Sequence, residues 1–174
     1  MRVLLVAAVS QDGFIADKNG SIKTWSSKED QEHFAEMKRR HSLYVMGSTT
    51  YESADIKPEP GVLRIILTRN PNKYKDSEVK NQLEFKTLTA EQFAEQYKSH
   101  DTSLLLGGSH VYNEFLELGC VDEVYLTIEP VELGNGTPLL SGEQTIQEFM
   151  HGKPVSTANL NDAGTILEHY ILKN

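Results

Sequence analysis

Two stretches of this sequence have the residue types and spacing to hold a phosphate group. In the first, Leu104-Leu105-Leu106 is a short, wholly apolar run of the kind found in strands buried on both faces. Gly107 and Gly108 follow at once, and then Val111, Tyr112, Phe115, Leu116 and Leu118 recur at roughly helical spacing. Strand, glycine turn, helix is an arrangement that puts a helix N-terminus at the carboxyl end of a strand. Free backbone N–H groups and the positive end of the helix dipole then face whatever binds there. Glycine removes the side chains that would hold a pyrophosphate off the backbone. The same pair of glycines also suits a tight turn with close strand–helix packing, so both readings stand. The second stretch repeats the pattern. A strand ending at Met46 runs into Gly47-Ser48-Thr49-Thr50, a glycine and three hydroxyls that open another short helix.

A third stretch could handle a proton. Ser26–Asp30 reads as a helix start, and Ser27 with Asp30 three residues on resembles a capping box with Asp in place of Glu. Asp30 falls in the first turn, and Phe34, four residues on, shares its face. An acid beside an apolar wall suits a flat, hydrogen-bonding heterocycle: the ring stacks on Phe34 and its edge nitrogens reach the carboxylate. Burial there would raise the acid's pKa and help it pass a proton near neutral pH. The helix N-terminus opposes this by favouring the anion, so the sign stays open, as does the reading of Asp30 as no more than a helix-terminal acid. Lys38-Arg39-Arg40 reads as a solvated helix end whose cations suit the dipole.

The elements that must position these residues follow from pattern. Val3–Val9 is apolar throughout and reads as a central strand, and Ser10–Ala16 turns back through Asp12-Gly13. Phe34, Met37 and His41 are expected on the inner face of the first helix. Strands are expected over Ser42–Met46, Arg64–Thr68, around Phe85, over Leu104–Leu106 and over Glu123–Ile128, and a helix over Thr89–Tyr97. In the Glu123–Ile128 strand, Val124, Leu126 and Ile128 lie on one face and Tyr125 and Thr127 on the other. Gly134–Pro138 reads as a loop. Ser156–Leu160 and Thr165–Leu172, joined by Asn161-Asp162-Ala163-Gly164, read as a terminal antiparallel hairpin. The expected fold is one α/β domain over residues 1–174, a three-layer α/β/α arrangement with a mostly parallel mixed sheet and that hairpin at its edge.

The 25 acidic against 17 basic residues give a net charge of −8, which argues against a general nucleic-acid or anionic-membrane binder. The apolar N-terminal run ends at Asp12-Gly13, too short to span a membrane and with no signal-peptide pattern, so a cytoplasmic protein is expected. Cys120 is the single cysteine, excludes an intrachain disulfide and, between a helix and a strand, reads as a small buried filler. His33, His41, His100, His151 and His169 show no spacing that suggests a metal site, and none is expected. The partners expected are a small-molecule substrate and, at the protein level, a second copy in a homodimer.

Taken together, these stretches resemble the dihydrofolate reductase superfamily. Ser10-Gln11-Asp12-Gly13-Phe14-Ile15-Ala16 is similar to the SxDGxIA signature of the riboflavin-biosynthesis reductase domain, the RibD C-terminal type. Met46–Ser53 resembles the MGRxTWES segment that grips cofactor phosphates, and Gly107–Tyr112 resembles GGGxxY, whose first two glycines are joined by a cis peptide in the family. The resemblance implies NADPH as cofactor. It implies cofactor contacts at Ile15, Gly47, Ser48, Thr49, Thr50, Gly107, Gly108, Ser109, His110, Val111 and Tyr112, with Thr68 and Arg69 on the 2′-phosphate side. It also implies a nicotinamide pocket between Ala8 and Ile15, and a substrate slot formed by Ala8, Trp25, Phe34 and Thr127 around Asp30 as the catalytic acid.

Departures from the pattern narrow the substrate. Ser48 and Val62 stand where dihydrofolate reductases usually carry arginines, for the cofactor and for the folate glutamate carboxylate. Without the second arginine a bidentate charge-assisted bond is missing, so poor folate binding is expected. No cytidine-deaminase zinc signature is present, so the bifunctional riboflavin enzyme is not expected either. The expected activity is NADPH-dependent reduction of a riboflavin-precursor-like aminopyrimidine bearing a phosphoribosyl group. A dihydrofolate or pterin reductase is the alternative enzyme, and a nucleotide- or flavin-binding module without turnover is the alternative of another class.

Overall fold

Burial is continuous from Val3 to Ser10 in the first strand, β1 (Arg2–Ser10), as an unbroken apolar run requires when both faces of a sheet are covered. The computed structural model describes residues 1–22, 24–150 and 152–172; His151 lies outside them. After β1 come β2 (Phe14–Asp17), α1 (Lys28–Arg39), β3 (Leu43–Gly47), α2 (Ser48–Ser53), β4 (Leu63–Leu67) and β5 (Leu83–Lys86). The second half contains α3 (Ala90–Gln96), β6 (Thr102–Leu105), α4 (Ser109–Glu117), β7 (Glu123–Glu129), β8 (Gly136–Pro138), α5 (Ile146–Phe149), β9 (Ser156–Asn159) and β10 (Ile166–Ile171). A 3₁₀ turn occupies Pro71–Ser77.

Eight strands form the main sheet in the order β5-β4-β3-β6-β1-β7-β10-β9. From β5 to β7 the pairs are parallel, while β10 runs antiparallel to β7 and β9 antiparallel to β10. This is the three-layer α/β/α arrangement with a terminal hairpin that the pattern implies. On one face Val3, Leu5, Ala7 and Val9 pack with Phe93 of α3 and Phe115 of α4. On the other, Leu4 and Val6 pack with Met37 of α1, with Tyr44 and Met46, and with Tyr74 from the 3₁₀ turn. The chain moves outward from β3 to β5, returns to β6 and crosses β1 to reach β7. Connections that diverge in this way leave a crevice at the carboxyl ends of the strands, where open α/β sheets bind ligands.

The helix start at Ser27 is half of a capping box. The Ser27 hydroxyl accepts the Asp30 N–H at 3.2 Å, but the Ser27 N–H is taken by a carboxylate from another strand, described below. A full reciprocal box does form at α3, between Thr89 and Gln92.

Three local expectations change. Gly136–Pro138 is a strand, not a loop, and pairs antiparallel with β2 in a separate two-stranded sheet. The two backbones approach so closely that a Cβ on Gly136 would lie 2.1 Å from the Ala16 carbonyl oxygen, so only glycine fits. His41 does not line the inner face of α1. The helix ends at Arg39, and the His41 imidazole Nδ1 pairs with the Met37 carbonyl at 2.6 Å. Cys120 is half-buried against the core rather than fully inside it.

Candidate active site

The two glycine turns meet. The Gly47 N–H donates to the Gly107 carbonyl at 2.7 Å, which ties the end of β3 to the end of β6. A side chain on Gly47 would crowd the turn, because a Cβ would lie 3.0 Å from a Val111 methyl. Gly107 is in the left-handed region at φ +97°, and a Cβ would sit 3.1 Å from the Tyr112 ring. The peptide between Gly107 and Gly108 is cis. Gly108 itself has φ −87°, so its constraint is packing and not backbone conformation: a Cβ would meet the Thr50 hydroxyl at 3.1 Å. Neither α2 nor α4 has a side-chain hydrogen bond capping its N-terminus. Their first N–H groups are therefore available to an anion at the carboxyl edge of the sheet.

The remaining residues of these segments divide by exposure. Thr49 and His110 are exposed, and Ser48 and Thr50 are half-buried. Ser109 is buried, with its hydroxyl donated to the Pro138 carbonyl. Val111 and Tyr112 are buried and support the turns from within; the Tyr112 hydroxyl donates to the Val6 carbonyl at 2.7 Å, and burial pushes that phenol's pKa up. Thr68 follows β4, where its hydroxyl oxygen accepts the Asn70 N–H at 3.2 Å, and Arg69 beside it is exposed. Ile15 sits at the bulge of β2, between the paired positions Phe14 and Ala16, half-buried against the core.

Across β1 lies the acidic half. Ala8 and Thr127 are register partners on β1 and β7. Asp30 is only 7 % exposed, and the hydroxyls of Thr127 and Ser26 donate to its carboxylate. Burial is the largest influence on this acid and raises its pKa; the negative charge of Glu129 raises it further, and the two hydroxyls work against both. The sign left open by pattern alone is thus decided by desolvation. Phe34, one turn on, is half-buried with the Lys38 ammonium 4.6 Å from its ring centre. Trp25 is half-buried, its indole N–H donated to the Ser21 carbonyl at 3.0 Å.

Glu129 is the residue that pattern reading missed. It is 2 % exposed at the end of β7. One carboxylate oxygen accepts the Ser27 N–H at 2.7 Å and the other accepts the Thr165 hydroxyl at 2.7 Å. Asn161 completes the tie, donating to Thr165 at 2.9 Å and to Glu29 at 3.0 Å. Glu129 thus supplies the acceptor that an N3 side chain gives in a full capping box, which leaves the Asp30 carboxyl free for Thr127 and Ser26. A period-2 signal did exist: Tyr125, Thr127 and Glu129 share one face once the strand is carried one residue past Ile128.

Comparison with known proteins places the family and the fold. The RibD C-terminal domain profile matches residues 2–165. The chain belongs to the RibD C-terminal domain family. It is 29 % identical over 147 residues to the uncharacterized protein YwjB of Bacillus subtilis (strain 168), covering 79 % of this chain and 82 % of that one. In fold it is similar to a diaminohydroxyphosphoribosylaminopyrimidine deaminase/5-amino-6-(5-phosphoribosylamino)uracil reductase from Thermotoga maritima. The TM-score is 0.75 at 21 % identity, over 98 % of this chain and 56 % of that one. It is likewise similar to the dihydrofolate reductase of Enterococcus faecalis complexed with NADP(H), with a TM-score of 0.71 at 19 % identity, over 98 % and 95 % of the two chains. The fold is therefore dihydrofolate-reductase-like. Among the described residues no helix is long and apolar enough to cross a membrane.

Replacing Glu129 tests its place in this site. Glu129→Leu fills the volume but orphans the Ser27 N–H and the Thr165 hydroxyl, at about 1–3 kcal/mol for each buried donor left unmade. Glu129→Gln keeps an acceptor for Ser27 and should lose less. Urea denaturation of both variants checks the order; equal stability of Glu129→Leu and the unmodified chain would contradict it.

Proposed function

We propose that this chain is an NADPH-dependent reductase of a small aminopyrimidine, similar to 5-amino-6-(5-phosphoribosylamino)uracil. The observation that carries the reading is the buried acid: Asp30, raised in pKa and held by Thr127 and Ser26, beside Ala8 at the ligand-binding edge of the sheet. A buried carboxyl without a cationic partner is well suited to hold a proton and to recognise the donor–acceptor edge of a pyrimidine.

The residues fit the cofactor. Two helix N-termini without side-chain caps, each opening from a glycine turn, suit a phosphate. Gly47–Thr50 and Gly107–His110 would hold the pyrophosphate and ribose, Thr68 and Arg69 the 2′-phosphate, and Ala8 and Ile15 the nicotinamide side. When bound, NADPH supplies a hydride. The protein's own part is positional and acid–base. Asp30 binds the substrate ring and holds a proton on its carboxyl, Phe34 and Trp25 exclude water from that ring, and Thr127 orients the acid.

Val62 supports the choice of a pyrimidine over a folate. It is half-buried on the loop before β4, and offers no fork to a glutamate carboxylate where the family resemblance calls for an arginine.

Asp30→Asn should cut turnover by about 10²-fold or more while cofactor affinity holds. The pH profile carries a sign. Because the folded-state pKa of Asp30 is raised, the protonated acid persists above the ordinary aspartate range, and turnover falls as pH rises through the raised value. Loss of nicotinamide absorbance with the aminopyrimidine and with dihydrofolate reads all of this. Brisk dihydrofolate reduction, or normal turnover by Asp30→Asn, would contradict the assignment.

Arg69→Ala should weaken NADPH by about 1.5–3 kcal/mol, the scale of a charged hydrogen bond, and leave NADH nearly untouched. Fluorescence titration of the two dinucleotides measures the difference, and an equal loss for both would show that Arg69 does not read the 2′-phosphate.

A further inference from the structure

Asp30 is buried, and a buried acid that gives up a proton must recover one from water before it can act again. Most of its surroundings do not lead to water. Thr127, one of the two hydroxyls on the carboxyl, is 2 % exposed on β7, a strand flanked by β1 and β10. Glu129 is equally buried, and its two oxygens are taken by the Ser27 N–H and by the Thr165 hydroxyl, which is itself buried. The other acid nearby on α1, Glu29, is bonded to Asn161 at 3.0 Å.

We propose that Ser26 is the positioning residue through which Asp30 is reprotonated: its hydroxyl holds the carboxyl on one side and meets solvent on the other. The inference rests on the reading of Asp30 as the acid. Of the two hydroxyls on that carboxyl, Ser26 alone is half-buried, so it alone touches both the acid and water. Its place is fixed by three bonds. The Ser26 N–H donates to the Ile22 carbonyl at 3.1 Å. The Gln31 side-chain amide donates to the Ser26 carbonyl at 3.1 Å and to its hydroxyl oxygen at 3.3 Å. Gln31 is exposed, so this last bond lies at the surface.

The helix start explains why a polar pair stands here. Ser27 is the N-cap of α1, so Ser26 occupies the position before the cap and Gln31 the fourth helical position. Those two positions are commonly filled by an apolar pair that fixes how the chain enters the helix. In this chain the pair is polar and hydrogen-bonded, and it does the same anchoring while keeping a hydroxyl between the acid and the surface. A serine hydroxyl has one proton to give and two lone pairs. The proton goes to Asp30, one lone pair takes the Gln31 amide, and the other is left for water.

The step balances with these atoms. Once Asp30 has passed its proton to the substrate ring it is a carboxylate. The Ser26 Oγ–H bond breaks and its proton forms a new O–H bond on Asp30. A hydronium ion at the free lone pair of Oγ gives up a proton in its place and is left as water. One proton has moved from solvent to the carboxylate, and nothing is oxidised or reduced. Thr127 cannot do the same, because no water lies behind a hydroxyl so deeply buried to replace the proton it would give. The two hydroxyls therefore divide the work: Thr127 orients the acid and Ser26 supplies it.

The test uses the unliganded full chain and needs neither cofactor nor substrate, so its failure would leave the reading of Asp30 as the acid standing. Carboxyl carbon-13 relaxation dispersion of Asp30, recorded at its titration midpoint, gives the proton exchange rate. That rate and the midpoint together give the protonation rate constant. Ser26→Thr and Ser26→Val introduce side chains of nearly the same shape, and only the first keeps a hydroxyl. The rate constant should be retained in Ser26→Thr and fall by about 10²-fold in Ser26→Val, the scale of one positioned proton-transfer group. Thr127→Val is the comparison. It also takes one donor from Asp30 and moves the midpoint up, but the rate constant should hold. A donor of merely structural role would shift the midpoint alone. A rate constant unchanged by Ser26→Val, or lowered equally by Thr127→Val, would overturn the proposal.

Discussion

A single hydrogen bond, from the Ser27 N–H to the Glu129 carboxylate at 2.7 Å, decides what the acidic half of the site can do. The first turn of a helix presents N–H groups that need acceptors. Within α1 the local solution would be reciprocal: Ser27 caps Asp30, and Asp30 reaches back to cap Ser27. That would commit the Asp30 carboxyl to the helix. Glu129, brought in by β7, takes the return bond instead, and Asp30 turns to the hydroxyls of Thr127 and Ser26. The cost is a second buried carboxylate nearby, satisfied by the Thr165 hydroxyl and the Ser27 N–H. Its charge adds to the desolvation that already raises the Asp30 pKa.

The two halves of the site are joined through β1. On one side the glycine turns after β3 and β6 are bonded to each other, and Tyr112 lies beneath Gly107. The Tyr112 hydroxyl then reaches the Val6 carbonyl of β1, two residues before Ala8. On the other side Ala8 is in register with Thr127, which donates to Asp30. A chain of buried contacts therefore fixes the glycine turns relative to the acid. Positioning of that kind is what a protein supplies when a cofactor carries the hard chemistry.

What could be read in advance was what is local. The apolar runs at Val3–Val9 and Leu104–Leu106, the glycine turns, the helix start at Ser27 and the closing hairpin each have their cause within a few residues. Pairings between distant segments were not legible. Gly136-Thr137-Pro138 has no alternation, and becomes a strand only because β2 lies beside it. Glu129 lies one residue past the expected strand, and its role depends on the start of α1 and the residue before β10 arriving at the same place. Lys38-Arg39-Arg40 read as a solvated helix end. Lys38 is in fact half-buried, because Phe34 on its own helix and Arg64 on β4 close around it.

The account turns on Asp30 being a buried acid whose charged form is disfavoured. The most direct measurement is a carboxyl carbon-13 NMR titration of Asp30 in the unliganded protein, with Glu129→Gln as the comparison. Asp30 should titrate above the ordinary aspartate value of 3.8, and its midpoint should fall when the Glu129 charge is removed. A midpoint at or below 3.8, unmoved by Glu129→Gln, would contradict the account.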